Sequence, residues 1–291
     1  MAPSFGAVNK PAVDLEANAE AWIREHVEPT GAAELVYERP WASVWQVPVA
    51  GGIVWFKVCA EVQAFEPRLT AELAARHPTL LPEVLGHDEE RSWLLLADLG
   101  EPIGVSDITL GDYLELLPRY AELQLAETAN AGDQLAHGVP DLRPTQLPDR
   151  FDALVAGELP LPADEAKLLK DFAPRFRELC AELDAFGVPA AIQHDDLHGN
   201  NLYAHAGGTR ILDWGDSSVA HPFFCFTQIF RHVDPSWQRL LRAAYFEPWG
   251  DAAACADLAI QLSWFAYVIR GLGAHDPAGF AAELREAIAA I

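Results

Sequence analysis

The sequence predicts an α+β protein in two parts: a small antiparallel sheet with one helix inserted, then a larger part that is mainly helical. Three observations carry this expectation. Short runs rich in Val, Trp and Tyr crowd the stretch up to Gly100, separated by turn residues. One segment with helical spacing interrupts them after the third run. Beyond Gly100 helical spacing dominates, broken by three short strand-like pieces.

Residues 14–27 (DLEANAEAWIREHV) have the pattern of an amphipathic helix, with Asp14 as its N-cap and Pro29 past its end. Strand runs follow at LVYE, SVWQVPV and IVWFKV, and Ala50-Gly51-Gly52 links the last two as a hairpin. Residues 66–77 (EPRLTAELAARH) return to helical spacing, with Leu69 and Leu73 on one face and Pro67 in the permitted first turn. Strands around Glu83–His87 and Trp93–Ala97 complete a five-stranded antiparallel sheet, so residues 1–97 form one lobe and 98–291 the other. In the second lobe helices are expected over 106–129, 164–186, 222–233, 236–246, 251–272 and 277–290. Its strand-like pieces lie near Ala191–His194, Asn201–Tyr203 and Arg210–Asp213.

Composition narrows the function. With 51% hydrophobic residues, nine Trp and fourteen Phe, the chain is a packed globular protein. No window offers eighteen or so uninterrupted apolar residues, and the N-terminus has no basic stretch followed by an apolar one, so neither a membrane nor a secretory signal is expected. The four cysteines stand singly, without a CxxC pair, which excludes a zinc template and fits a cytoplasmic protein. A formal charge of −23 makes nucleic acid a poor partner. Residues 1–97 carry 14 acids and 7 bases, residues 98–291 carry 29 and 13, so the excess falls on the helical part. Such a surface keeps a protein soluble, and it also suits a cationic substrate.

The chemistry concentrates in Gln193-His194-Asp195-Asp196-Leu197-His198-Gly199-Asn200-Asn201-Leu202, followed by Ile211-Leu212-Asp213-Trp214-Gly215-Asp216. Asp196 and Asn201 lie five apart across a loop containing Gly199, and a short hairpin would return Asp213 beside Asn201. Asn and Asp oxygens converging without Cys suit a hard cation such as Mg²⁺. A further Asp, not spent on the metal, is free to accept a proton. A rival reading gathers His194, Asp195, Asp196, His198 and Asp213 as the ligands of a metal-dependent hydrolase. Lys57, on the strand IVWFKV, shares a face with Ile53 and Trp55 that is expected to meet the core, where an ammonium needs an anionic partner. Glu66 and Glu72 compete for that place; Glu66 shares the apolar face of its helix with Leu69.

The order His194-x-Asp196-x-x-x-x-Asn201, then Asp213-Trp214-Gly215, resembles the catalytic and metal loops of protein-kinase-like enzymes. His198, and Trp after the metal Asp, bring it nearest to the aminoglycoside phosphotransferase branch of small-molecule kinases. The resemblance implies a bilobal kinase-like fold, ATP and Mg²⁺ as cofactors, and a small-molecule hydroxyl as acceptor. It implies Asp196 as the base, Asn201 and Asp213 as metal ligands, and His194 as a brace. Lys57 would contact the nucleotide phosphates and pair with Glu66, while backbone groups of Ala97 and Leu99 would meet the adenine. The glycine-rich loop of protein kinases is absent; Pro40-Trp41-Ala42-Ser43-Val44-Trp45 stands there, leaving Ser43 and nearby amides to reach the phosphates. A nucleotide-binding pseudokinase that acts as a regulatory module is the second hypothesis, from a different class, against which the presence of Lys57, Asp196, Asn201 and Asp213 counts. Phe223, Phe224, Trp237, Trp264 and Tyr267 read either as core or as walls for a sugar ring.

Overall fold

Five antiparallel strands in the order β1-β2-β3-β5-β4 make the first sheet: β1 Glu34–Arg39, β2 Ala42–Val49, β3 Gly52–Cys59, β4 Val84–Asp88 and β5 Trp93–Ala97. They belong to a computed structural model that describes residues 15–157 and 163–271, with Arg285 and residues 288–289. The chain divides into two compact units, Met1–Gly100 and Glu101–Ile291.

In the first unit, helix α1 (Ala17–His26) lays Ala19, Trp22 and Ile23 on one face of the sheet, against Trp45, Val47, Val54, Phe56, Trp93 and Leu95. Trp22, Phe56 and Trp93 meet pairwise at ring-centroid distances of 5.6–5.8 Å. Each such ring, fully buried, contributes roughly 1.5–3 kcal/mol by leaving water. The close seat of α1 depends on Gly86, where a Cβ would fall 2.4 Å from the His26 ring. The expected N-cap Asp14 lies outside the described residues; Glu16 occupies the N-cap position of α1.

This packing corrects one expectation from the sequence. Strand alternation does place Lys57 with Ile53 and Trp55, yet the face that meets the α1 core is the other one, carrying Val54 and Phe56. Lys57 lies on the half-buried face, which Cys59 and helix α2 (Glu66–Arg76) help to close.

The second unit contains α3 (Leu110–Glu127), α4 (Ala131–Ala136), β6 (Asp141–Leu142), α5 (Leu147–Ala156), α6 (Ala163–Asp184) and β7 (Ala191–Gln193). Then come β8 (Leu202–Tyr203), β9 (Arg210–Ile211), β10 (Ser218–Ala220), α7 (Phe226–Arg231), α8 (Gln238–Phe246) and α9 (Ala256–Gly271). Thr109 and Asp112 close a reciprocal capping box at the start of α3: the Thr109 hydroxyl accepts from Asp112 N–H at 3.2 Å, and Thr109 N–H donates to the Asp112 carboxylate at 2.8 Å. Phe172 stacks on Phe265 at 5.4 Å, and Phe176 meets Phe265 tilted at 4.8 Å, joining α6 to α9. Phe223, Phe226, Tyr245 and Phe246 form a second aromatic cluster around α7 and α8. The helix expected over 277–290 falls almost wholly outside the described residues.

Two small sheets position the chemistry. β10 runs parallel to β6 and antiparallel to β7, and β8 pairs antiparallel with β9. Residue patterning does not mark β6, β10, α4 or α5. One described run, Pro235–Arg270, is long and apolar enough by length and composition to cross a membrane, a run missed when only uninterrupted apolar residues are counted. Gly250 (φ 54°, ψ −127°) breaks it, and Leu241, Tyr245, Leu262 and Phe265 are buried inside the protein.

Candidate active site

In the first unit, Lys57 Nζ lies 2.8 Å from Glu66 Oε1 and 2.7 Å from Oε2. Their side chains are only 11% and 2% exposed. The Cys59 thiol donates to Glu66 Oε2 at 3.2 Å, which fixes the carboxylate further. Glu72 instead pairs with Arg68 and Arg76, so of the two acids weighed for Lys57 it is Glu66 that meets it.

Ser43 sits on β2 opposite Val58 and is half-buried. Ala97 ends β5, and its N–H already donates to the Glu83 carbonyl at 3.0 Å, so that N–H is not open to a ligand. Asp98 is an exposed turn acid whose Oδ1 accepts from Trp55 Nε1 at 2.8 Å and from Gly100 N–H at 3.2 Å, bracing the turn that contains Leu99.

In the second unit, β7 delivers His194 into the core. Its N–H donates to the Tyr120 hydroxyl at 3.0 Å, its Nε2 meets the Leu212 carbonyl at 2.9 Å, and its Nδ1 accepts from Asp196 N–H at 3.3 Å. With one ring nitrogen donating and the other accepting, the imidazole is neutral, as burial demands by pushing its pKa down. Trp214 closes edge-on over it at 4.9 Å.

Asp196 then emerges with its carboxylate held from three directions. Asn201 Nδ2 donates to its Oδ2 at 2.9 Å, and Gln228 Nε2, from α7, donates to its Oδ1 at 3.2 Å. His198 Nε2 lies 3.2 Å from Oδ1. Burial raises the carboxyl pKa, but the hydrogen bond and charge of His198 outweigh it and hold Asp196 below its ordinary value. Reciprocally, burial resists charging His198, yet the Asp196 hydrogen bond and charge raise its pKa.

Asn201 directs the same Nδ2 to the Asp196 carbonyl at 2.9 Å, so its amide nitrogen faces Asp196 and its Oδ1 is turned away as an acceptor. The β8–β9 hairpin brings Leu212 N–H onto the Asn201 carbonyl at 2.9 Å, which places Asp213 beside it in sequence and space. Asp213 is exposed and left-handed (φ 66°, ψ 72°), a conformation Asp tolerates better than most residues. A neutral amide oxygen and one carboxylate fit Mg²⁺, which keeps few protein ligands and takes the rest from phosphates and water. Among the described residues no group of three or more His, Cys, Asp or Glu gathers to hold a metal ion. The rival hydrolase ligand set is therefore not assembled. His194 has both nitrogens engaged, and Asp195 turns to the Ser218 hydroxyl and to Arg270 at 3.7 Å.

Gly199 is needed where it stands: a Cβ there would lie 2.2 Å from the Gly104 carbonyl oxygen, because Gly104 N–H bonds the Gly199 carbonyl at 2.9 Å. Sequence reading missed Gln228, which lies 32 residues beyond Asp196. Its only trace was a lone amide in the apolar run Phe226–Phe230. Of the aromatic residues weighed for a pocket, Phe223 is core, whereas Phe224 and Tyr267 line a cleft beside Asp195.

The sequence profile of the phosphotransferase enzyme family matches residues 60–260, more than half of the chain, including the whole stretch from Gln193 to Asp216. The chain belongs to the phosphotransferase enzyme family. It is thus a small-molecule phosphotransferase with the protein-kinase-like, α+β architecture of that family. Among solved structures, an aminoglycoside phosphotransferase described as a complex with GDP and kanamycin matches with TM-score 0.62 and 14% identity, over 94% of this chain and 97% of that one. A choline kinase from Streptococcus pneumoniae gives 0.66 and 12%, over 94% and 100%. A macrolide 2'-phosphotransferase from Brachybacterium faecium gives 0.57 and 18%, over 93% and 95%. At these identities the phosphotransferase shares their fold, and its site rests on its own residues. No curated protein matches the sequence.

Proposed function

We propose that this phosphotransferase transfers the γ-phosphoryl group of ATP, with Mg²⁺, to a hydroxyl of a small-molecule acceptor. The observation that carries the reading is Asp196: a carboxylate kept ionised and aimed by Asn201, Gln228 and His198, next to an amide oxygen turned outward. Asp196 would accept the proton of the acceptor hydroxyl as that oxygen bonds the γ-phosphorus and the bond to the β-phosphate oxygen breaks, releasing ADP. Asn201 Oδ1 and the Asp213 carboxylate would hold Mg²⁺. Bound there, the ion would neutralise charge on the phosphates. Lys57, fixed by Glu66, would meet the phosphates, with Ser43 near them, and the Ala97 carbonyl and Leu99 N–H would read the base. Residues 1–97 thus act as the nucleotide-binding lobe and 98–291 as the catalytic and acceptor lobe.

The names of the structural neighbours, which include kanamycin, macrolide and choline, support a small molecule as acceptor. Four buried free cysteines fit work in the reducing cytoplasm. The test is ADP release from MgATP across a panel of sugars, amino sugars, aminoglycosides and amino alcohols, with GTP in parallel. The reading expects acceptor-dependent, chelator-sensitive release with a phosphorylated product. MgATP binding with no transfer to any acceptor would point to a pseudokinase, and a tightly bound zinc to a hydrolase.

A further inference from the structure

Two of the three described non-glycine residues with a left-handed backbone stand at the proposed site: Asp195 (φ 59°), directly before Asp196, and Asp213 (φ 66°) itself. Such conformations persist only where surrounding contacts over-determine them. Ahead of Asp213 those contacts come from Leu212, whose carbonyl meets His194 Nε2 at 2.9 Å and whose N–H donates to the Asn201 carbonyl at 2.9 Å. After Asp213 the chain turns through Trp214–Asp216, and that turn is held by one side chain from α9.

Arg270, near the end of α9, is only 15% exposed. Its Nε donates to the Asp216 carbonyl, while its Nη2 donates to the Gly215 carbonyl at 3.1 Å and lies 3.4 Å from Asp216 Oδ1. The same Nε lies 3.7 Å from Asp195 Oδ2, which also accepts from the Ser218 hydroxyl. One guanidinium therefore spans the loop of the base and the loop of the metal carboxylate. Its planar fork suits that task, whereas an ammonium matches the charge of Asp195 but not several acceptors in fixed directions. Ser263, about two turns earlier on the same face of α9, accepts from the Thr227 hydroxyl, next to the Gln228 that donates to Asp196.

We propose that Arg270 is a positioning residue for phosphotransfer: by tying the Asp195–Asp196 segment to the Gly215–Asp216 turn, it sets the place of Asp196 relative to Asp213. The inference rests on the phosphotransfer reading above. It also gives a role to Asp195, a carboxylate that the chemistry does not use and that forms the end of the tie on the side of the base.

The experiment compares the wild type with Arg270→Ala, Arg270→Lys and the double variant Arg270→Ala/Asp195→Asn. ADP release from MgATP gives kcat and acceptor KM with kanamycin, choline, glucose and glucosamine; calorimetry gives ATP affinity with and without Mg²⁺, and thermal unfolding is followed alongside. The double variant leaves no carboxylate at 195 without its cation, and asparagine keeps an acceptor for Ser218 and tolerates the left-handed backbone. Arg270→Ala and the double variant should each lower kcat by about 10²-fold, the scale on which a misplacement of about 1 Å acts, with acceptor KM nearly unchanged. Both should weaken Mg²⁺-dependent ATP binding severalfold. Arg270→Lys should recover a small part of kcat, and millimolar guanidinium ion should restore part of it to Arg270→Ala. A double variant that regains wild-type kcat, or a kcat that falls only as thermal stability falls, would reduce Arg270 to compensating Asp195 and overturn the inference. If the wild type phosphorylates none of the acceptors, calorimetry decides alone. Weaker Mg²⁺-dependent affinity in the double variant then sustains the tie while phosphotransfer fails, and unchanged affinity overturns the tie.

Discussion

Lys57 and Asp196 are both charged groups drawn away from bulk water, and the protein compensates them differently. The Lys57 ammonium, 11% exposed, meets both oxygens of Glu66, which is itself nearly inaccessible. The Asp196 carboxylate, 28% exposed, is shared among His198 and Asn201 of its own loop and Gln228 of α7. In the first case charge is matched by charge in a dry setting, so the pair is tied to stability. In the second, hydrogen bonds divide the work in a wetter setting, so each donor adjusts the direction and basicity of the carboxylate more than it holds the fold.

The largest expected effect breaks the first arrangement. Glu66→Ala leaves the Lys57 ammonium without that carboxylate and should lower the unfolding free energy by roughly 3–5 kcal/mol in denaturant titration. Lys57→Met introduced on top of it should recover part of the loss. If Glu66→Ala unfolds like the wild type, the pair does not carry the stability ascribed to it.

Metal binding probes the second arrangement. Asp213→Ala should weaken Mg²⁺-dependent nucleotide binding by calorimetry more than Asn201→Ala does, because only Asp213 brings a full charge. Equal affinities in both variants and the wild type would remove them as ligands.

A titration outside both places separates fold from site. Burial pushes His221 down to about 3, so the folded state resists its protonation. A histidine depressed in this way contributes stability that is complete above its unfolded value near 6.5 and is lost as pH falls from there toward 3. Asp195, raised to about 6 mainly by burial, acts in the opposite sense, losing stability as pH rises through 6. His221→Asn keeps an acceptor for Phe223 N–H and should flatten the acid limb of stability against pH, while an unchanged limb would assign acid unfolding elsewhere.

The smallest effect belongs to one donor among several. Gln228→Ala should cost severalfold in kcat, about 1 kcal/mol, with little change in thermal stability. A loss as large as that from removing Asp196 would mean that the three donors do not share the work.

These contrasts also show what could be read before folding. Lys57, Asp196, Asn201 and Asp213 are legible because their spacing is local to a strand or a hairpin, and Glu66 because helical periodicity puts it beside Leu69. Which face of β3 meets the core was not legible: alternation defines two faces, and Trp22 and Ile23 of α1 decide between them. The use of Ala97 N–H by Glu83 depends on how β4 and β5 pair, register that no residue type announces. Gln228 reaches Asp196 through a contact between α7 and a distant segment, and it leaves no motif. Helix α5 was hidden because Pro144 and Pro148 crowd its start, where the structure uses Pro148 in the first turn.

The most direct test of the central claim is Asp196→Asn, assayed for phosphoryl transfer and, separately, for MgATP affinity by calorimetry. Asparagine keeps the size and the hydrogen-bonding reach of the side chain but cannot take the proton. Turnover should fall by about 10²–10⁴-fold while nucleotide affinity stays within severalfold of wild type. Turnover above about a tenth of wild type, or a matching collapse of nucleotide affinity, would contradict Asp196 as the base.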